Sequence, residues 1–301
     1  MKKFLFILLF VPLLTFAEQL RIATWNMEWL DQNSARPESL RTRADYAVMH
    51  DLSEQLAADI IAFQEVADQA SLTKVLDKYQ YKMEFSTRKD EVEQTSSPMK
   101  WHQFVGLAIR KGISYERNPD LTTLDVRDDK KLRYGVDVTI LKNNKPVIRV
   151  LSVHLKSGCF YQDRNHRGCE KLAEQVSKLE LWIDARATEN IPFIVLGDFN
   201  RQLTGYKDWF WKEIDDGDPA GMKLYSAAGK DKSRCQSKTY DIENHSWSLM
   251  RYENYIDHIV LDEQAIELMV PESFKQFLYH QDDVMNLNLS DHCPIRVTLQ
   301  L

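Results

Sequence analysis

No Cys-x-x-Cys pair occurs among the four cysteines, so a zinc site built on thiolates has no ligand set in this chain. Positive charge is short as well: 39 lysines and arginines stand against 45 aspartates and glutamates, a formal charge of -6. Proteins that grip nucleic acid over a broad face are normally basic, so any attraction for phosphate must come from a local patch working with bound cations. Beyond the first residues no stretch is apolar enough to cross a bilayer. Gly/Ser-rich linkers and internal repeats are missing too, which leaves neither tethered domains nor a solenoid.

What is present begins with Met1-Lys2-Lys3, an apolar run over residues 4 to 14, and the small-x-small ending Thr15-Phe16-Ala17. That order of charge, short apolar segment and small residues predicts a secretory signal peptide over 1–17, cut after Ala17. The run is shorter than the roughly 20 residues a membrane anchor needs, so no stable membrane insertion is expected after its removal. Losing Lys2 and Lys3 takes the formal charge from -6 to -8. About 280 residues then remain, enough for a single domain, 18–301, with a substantial core.

A secreted or periplasmic destination favours disulfides. Cys159 and Cys169 flank a polar loop and are the first candidate pair; Cys235 and Cys293 remain by elimination, a connectivity that sequence alone does not fix.

Strand-like alternation occurs at Leu20, Ile22 and Thr24, at Val136, Val138 and Ile140, and at Ile295, Val297 and Leu299; residues 150–154, 193–196 and 255–261 are further candidates. Ala44, Val48, Leu52 and Leu56 recur at helical spacing, as do Leu172, Val176, Leu179 and Ile183. The class is mixed α/β. Residues 86–100 and 205–247 lack a sustained period and read as long loops over one domain.

The chemistry lies where apolar runs end. Ile60-Ile61-Ala62-Phe63 leads to Gln64-Glu65, Val150-Leu151-Ser152-Val153 to His154, and Ile194-Val195-Leu196 to Gly197-Asp198-Phe199-Asn200; Asp257-His258 and Ser290-Asp291-His292 follow near the end. Carboxylate and amide oxygens suit a hard cation such as Mg²⁺, which keeps waters and takes up substrate phosphate. Glu65 is the expected anchor, with Asp291 and Asn26 near it. Water attack also needs a proton acceptor, supplied by Asp198 or His292, and Asp257 is placed to orient His292. Singly, each position has an ordinary alternative: Glu65 a solvated rim residue, His154 a satisfied structural histidine, Asp198 and Asp291 turn carboxylates, Asp257 a charge on an edge strand. The conjunction carries the inference.

Six blocks, in order, resemble the signature motifs of the endonuclease/exonuclease/phosphatase superfamily: Arg21-Ile22-Ala23-Thr24-Trp25-Asn26, Ile61-Ala62-Phe63-Gln64-Glu65-Val66, Ser152-Val153-His154-Leu155-Lys156-Ser157, Leu196-Gly197-Asp198-Phe199-Asn200, Ile256-Asp257-His258, and Ser290-Asp291-His292-Cys293-Pro294-Ile295. They span nearly the whole mature chain. The resemblance implies a four-layer α/β/β/α sandwich, two mixed β-sheets flanked by helices as in DNase I-like proteins, with the site on loops at one sheet edge. It also implies roles. Asn26 and Glu65 would form the metal side, assisted by Asp291; His154 would contact phosphate or act as an acid; Asp198 and Asn200 would orient water and phosphate; Asp257 and His292 would form a dyad. The implied cofactor is Mg²⁺, with Mn²⁺ or Ca²⁺ as alternatives.

One departure concerns phosphate contact. Deoxyribonucleases of the superfamily often carry an arginine soon after the Gln-Glu-Val block, whereas Ala67-Asp68 follows in this chain. Lys156, Arg164, Arg167 and Arg201, with His166, are candidates for a local cationic rim; the alternative is a solvated charged loop. Trp209, Trp211 and Trp247 are candidates for stacking on bases or touching lipid, though packing within the protein is the commoner fate of tryptophan.

Among substrates, DNA leads and RNA follows, because Gly-Asp-Phe-Asn has the form common among nucleases and a basic Arg164-Asn165-His166-Arg167 lies between two cysteines. A monomer acting on nucleic acid is expected. A sphingomyelinase-type phospholipid phosphodiesterase is the alternative, disfavoured because no exposed aromatic hairpin is evident. An inositol polyphosphate phosphatase would carry a Trp-Cys-Asp-Arg character around Asp257 that is missing. A binding protein that has lost catalysis on the same fold would have lost some of the acidic and histidine positions, and all are filled.

Overall fold

The computed structural model describes residues 19–94, 102–160, 167–203, 207–241 and 244–301; the expected signal segment, 1–17, lies outside them. Along the chain run β1 (Gln19–Leu30), β2 (Ile60–Val66), β3 (Tyr81–Phe85) and β4 (Phe104–Arg110), then β5 (Ser114–Arg117), β6 (Val136–Lys142), β7 (Lys145–His154), β8 (Phe193–Asp198) and β9 (Leu224–Ser226). The hairpin β10 (Gln236–Asp241) and β11 (Ser246–Arg251) precedes β12 (Asp257–Asp262), β13 (Lys275–Gln276) and β14 (Ile295–Gln300). Two mixed six-stranded sheets result, ordered β13-β14-β1-β2-β4-β3 and β5-β6-β7-β8-β12-β9.

Helices cover the outer faces, which completes the four-layer α/β/β/α sandwich. Between the sheets, Ile22, Ile60, Ala62 and Leu107 meet Val138, Val150, Ile194, Leu196 and Ile259. Outside the first sheet, Trp25, Ile61 and Phe63 pack on Met49, Leu52 and Leu56 of the helix Arg43–Leu56. Outside the second, Val153, Phe193 and Val195 pack on Leu172, Val176, Leu179 and Ile183 of the helix Arg167–Ala187. Strands covered on both faces read as unbroken apolar runs rather than alternating ones, as β8 does, every residue of it buried.

Three expectations need correction. The helix Arg43–Leu56 exists, but its buried face centres on Asp45, Met49, Leu52, Ser53 and Leu56; Ala44 is exposed, because the capping box between Thr42 and Asp45 turns that side inward. Residues 86–100 include the helix Arg88–Glu93. Residues 205–247 are not one loop: they hold the helix Trp209–Ile214, β9, β10 and the first residues of β11. Cys159 is bonded to Cys169 and Cys235 to Cys293.

The site edge follows from strand direction. β1 and β2 run parallel, as do β7 and β8, so Asn26, Glu65, His154 and Asp198 all stand at C-terminal ends. β12 and β14 run antiparallel to β8 and β1, so Asp257 and the segment carrying His292 arrive at the same edge from their N-terminal ends. The inward positions change character toward that edge: Ile22 to Thr24 to Asn26, Val150 to Ser152 to His154, Leu196 to Asp198. Thr24 Oγ1 donates to Gln64 Oε1 at 3.2 Å and Gln64 Nε2 to Ser152 Oγ at 3.5 Å, a polar layer joining the sheets beneath the site.

Candidate active site

A cleft of about 500 Å³ opens at this edge, lined by Glu28, Trp29, Glu65, Arg133, His154, Asp198, Asn200, Asp257, Asp291 and His292 among others. Its backbone is held in unusual conformations. Glu28, Trp29, Glu65 and Asn200 all have positive φ, between 41° and 59°, and such strain in non-glycine residues gathers at functional sites. Gly197, just before Asp198, has φ 146°; a Cβ there would come within 1.9 Å of the Val153 carbonyl oxygen, so the close approach of β8 to β7 requires glycine.

Asp198 is the hub. Its Oδ2 accepts from Asn26 Nδ2 at 2.9 Å and from Asn200 Nδ2 at 3.0 Å, and its Oδ1 accepts the Asn200 backbone N–H at 2.7 Å. Burial, reinforced by Asp257 and opposed by His292 and these hydrogen bonds, pushes its carboxyl up to about 7. His292 Nδ1 lies 2.7 Å from Asp257 Oδ2, and its Nε2 is 4.0 Å from Asp198 Oδ2. Burial pulls the His292 pKa down, but the carboxylates of Asp257, Asp291 and Asp198 outweigh it and hold the imidazolium well above its ordinary range.

His154 is the opposite case. Burial first, then Arg133 and His292, hold it well below the ordinary value, so its ring stays neutral. Its Nε2 sits 3.6 Å from Glu65 Oε1 and 3.4 Å from Asp198 Oδ2, the nitrogen best placed to carry the proton, while Nδ1 is buried without a hydrogen-bond partner among the described residues. Two histidines in one cleft are thus driven to different charge states, a separation suited to distinct roles.

Glu65, His154 and Asp198 offer ligand atoms within 4.8 Å of one another, and Asp198, Asp257 and His292 form a second such group. The carboxylate oxygens of Glu65 and Asp198 in the first group suit a hard divalent cation, while His154 Nε2, carrying its proton, faces them as a donor. Asn26 Nδ2 lies 3.3 Å from Glu65 Oε1 and 2.9 Å from Asp198 Oδ2, and its Oδ1 accepts from Glu28 N–H at 3.0 Å. It thus stands between the two carboxylates and helps to position Glu65. Trp29 N–H donates to Glu65 Oε2 at 3.1 Å, so both Glu65 oxygens are oriented. Asp291 lines the cleft and its backbone N–H donates to Glu28 Oε2 at 3.0 Å.

Of the expected cationic rim, Arg201 is removed: its guanidinium is fully buried, paired with Asp208 at 2.6 Å and donating to the Cys159 carbonyl at 2.9 Å, because it ties two loops together. Lys156 does not line the cleft; its Nζ donates to the Ser157 carbonyl at 2.7 Å. Arg164 and the side chain of Arg167 lie outside the described residues. Trp211 is buried and Trp209 is packed against the same core, whereas Trp247 is 54% exposed.

The sequence reading missed Arg133. Buried at the cleft wall, it donates from Nη2 to the Leu155 carbonyl at 2.7 Å, and its Nε has no hydrogen-bond partner among the described residues. A buried guanidinium near Glu65 and Asp198 but not paired with either is costly without an anionic partner. Its only sequence signal is its place just ahead of β6. Glu28 was missed as well; burial, reinforced by Asp291, pushes its carboxyl up to about 8. Arg41 holds this strained turn, donating to the carbonyls of Met27 at 3.2 Å and Glu28 at 2.7 Å.

The model of the Endonuclease/Exonuclease/phosphatase family matches residues 23–292. No curated protein matches the sequence at a significant level. Among solved structures, TDP2 from C. elegans is similar at 17% identity and TM-score 0.60, covering 94% of this chain and 75% of that one. The 3′ phosphatase NExo from Neisseria, bound to a product DNA hairpin, is similar at 14% identity and TM-score 0.59, covering 94% and 100%. An endonuclease/exonuclease/phosphatase from Bacteroides vulgatus is similar at 16% identity and TM-score 0.59, covering 94% and 99%. At these identities the likeness is one of fold.

Proposed function

The chain belongs to the Endonuclease/Exonuclease/phosphatase family, and from that premise we propose that it is an exported, divalent-cation-dependent phosphodiesterase acting on nucleic acid, DNA first. The observation that carries the reading is the meeting of Glu65, His154, Asp198, Asn200, Asp257 and His292 in one cleft with the buried, anion-seeking Arg133. The two disulfides suit an oxidising compartment.

Glu65, backed by Asn26 and beside Asp198, would hold a cation that stabilises charge on the phosphoryl and leaving oxygens, with Asp291 lining the same cleft. The remaining work falls to side chains. His292, kept as an imidazolium by Asp257, is not free to accept a proton at neutral pH; it contributes positive charge toward a phosphate. Asp198, with a carboxyl near 7, is therefore the proton acceptor for the attacking water, and a general base works best near the operating pH. Neutral His154 donates from Nε2, and Arg133 and Asn200 fix the phosphate. Each is an interaction that strengthens as negative charge develops.

A second reading has one specific observation behind it. The hairpin β10–β11, followed by the cleft-lining Tyr252, carries Trp247 and Met250 about half exposed, as is Tyr252, a feature whose expected absence argued against a phospholipid substrate. Purified mature protein offered plasmid DNA, RNA and sphingomyelin vesicles in parallel with Mg²⁺ decides between them. Cleavage of DNA or RNA supports the proposal, and turnover of the lipid alone overturns it.

A further inference from the structure

Of the expected cationic rim, neither Lys156 nor Arg201 lines the cleft, yet an acidic chain needs local positive charge to hold a polyanion. A different group of cations borders the cleft. Two further hollows adjoin it, one lined by Lys232, Arg234 and Lys275, the other by Lys230 and Lys232. Tyr255 lines all three, Asn254 is shared with one and Gln276 with the other, so the surface is continuous from Asp257 outward. Asp231 is the single acidic residue lining the two outer hollows.

The four cations are exposed, and none forms an ion pair among the described residues. Lys232, Ser233, Arg234 and Cys235 alternate outward and inward, which puts the two cations on one side, as in an extended segment. The segment is also fixed. Ser233 N–H donates to the Glu253 carbonyl at 3.0 Å, Arg234 N–H to Gln276 Oε1 at 2.8 Å, and Lys232 Nζ to Asn254 Oδ1 at 3.1 Å. Cys235, next in sequence, is bonded to Cys293 beside His292, so the loop and the catalytic histidine share one covalent frame. Cations held in place, free of carboxylate partners and continuous with a phosphate site lower the ordering cost of binding a phosphate chain.

Resting on the nuclease reading above, we infer that Lys230, Lys232, Arg234 and Lys275 form a phosphate track that holds a polynucleotide strand beyond the scissile bond. Phosphates spaced along the strand meet successive cations, and interactions of this kind give affinity without base preference.

The test is the combined variant Lys230→Gln, Lys232→Gln, Arg234→Gln and Lys275→Gln, with a thermal melt to show that the fold persists. Two substrates are compared with Mg²⁺: a 20-nucleotide single strand and the small diester bis(p-nitrophenyl) phosphate. The expected result is a KM for the oligonucleotide raised by about tenfold or more and a log–log salt slope shallower by about 3, at ~0.7 for each phosphate that the variant no longer neutralises. Turnover of the small diester should be unchanged. An unaltered KM and salt slope for the oligonucleotide overturn the track while leaving the nuclease reading intact. Hydrolysis of the small diester with no cleavage or binding of oligonucleotide by the unmodified protein overturns the nuclease reading itself. Loss of binding to phosphatidylserine vesicles in place of oligonucleotide reassigns the cations to a lipid surface and overturns the inference.

Discussion

His292 Nδ1 and Asp257 Oδ2 lie 2.7 Å apart although 35 residues separate them, and they reach each other because β12 and the segment before β14 enter the same sheet edge from opposite sheets. A carboxylate so placed fixes the ring and keeps it charged. His292→Ala and Asp257→Asn should each lower kcat by about 10²–10⁴-fold. The double variant should fall little further than the worse single one, since residues acting as a unit are not additive. Steady-state kinetics on plasmid DNA measure this; losses that multiply would mean independent roles.

Metal dependence gives a second test. EDTA should abolish activity and Mg²⁺ or Mn²⁺ restore it. Because Asn26 Nδ2 lies 3.3 Å from Glu65 Oε1, Asn26→Ala should raise the half-saturating Mg²⁺ concentration by about 10–100-fold, the usual effect of losing a partner of a ligand. Full activity in chelator would remove the cation from the reaction.

Stability should fall with rising pH, in part through a carboxyl that does not line the cleft. Glu180 is pushed from 4.5 to about 8 by burial and by the carboxylates of Asp184, Asp216 and Glu213. A raised folded pKa means that the native state binds the proton more tightly, so this contribution is full below 4.5 and is lost as pH rises through about 8. The urea midpoint of the native chain should therefore drop between pH 5 and pH 8, and Glu180→Gln should flatten that drop. Parallel curves for the two proteins would contradict the assignment.

Gly197→Ala should cost about 3 kcal/mol or more, since the added methyl meets backbone rather than a movable side chain. Urea unfolding measures the loss. Activity should fall as well, because Asp198 is the next residue. A variant of native stability would show that β7 and β8 can separate to admit it.

Much of the site was legible in the chain because strands buried on both faces write their own boundary. An apolar run that turns polar at its end, as in Ile194-Val195-Leu196 before Asp198 or Val150 to His154, marks the point where the sheet meets solvent, and the residue types there name the chemistry. Glu65, His154 and Asp198 stand at such ends; Asp257 and His292 precede their strands, and the roles of all five were what the resemblance of the six blocks to the superfamily implied. Arg133 was not legible, because a guanidinium ahead of a strand looks like any surface charge until the fold buries it with no carboxylate paired to it among the described residues.

Local sequence thus determined the main sheet strands, their polar ends and the kinds of atom available, though not the elements within 86–100 and 205–247, since side-chain periodicity and strand-end composition depend only on neighbours along the chain. Tertiary structure alone decided that Arg201 is buried against Asp208, that Asn26 turns its amide nitrogen inward, and that Lys232 and Lys275 share one groove beside the cleft. Asn26 and Asp198 are 172 positions apart and meet only because the two sheets pack, and even Arg201 and Asp208, 7 apart, are buried only once the rest of the domain closes over them, which no local pattern records.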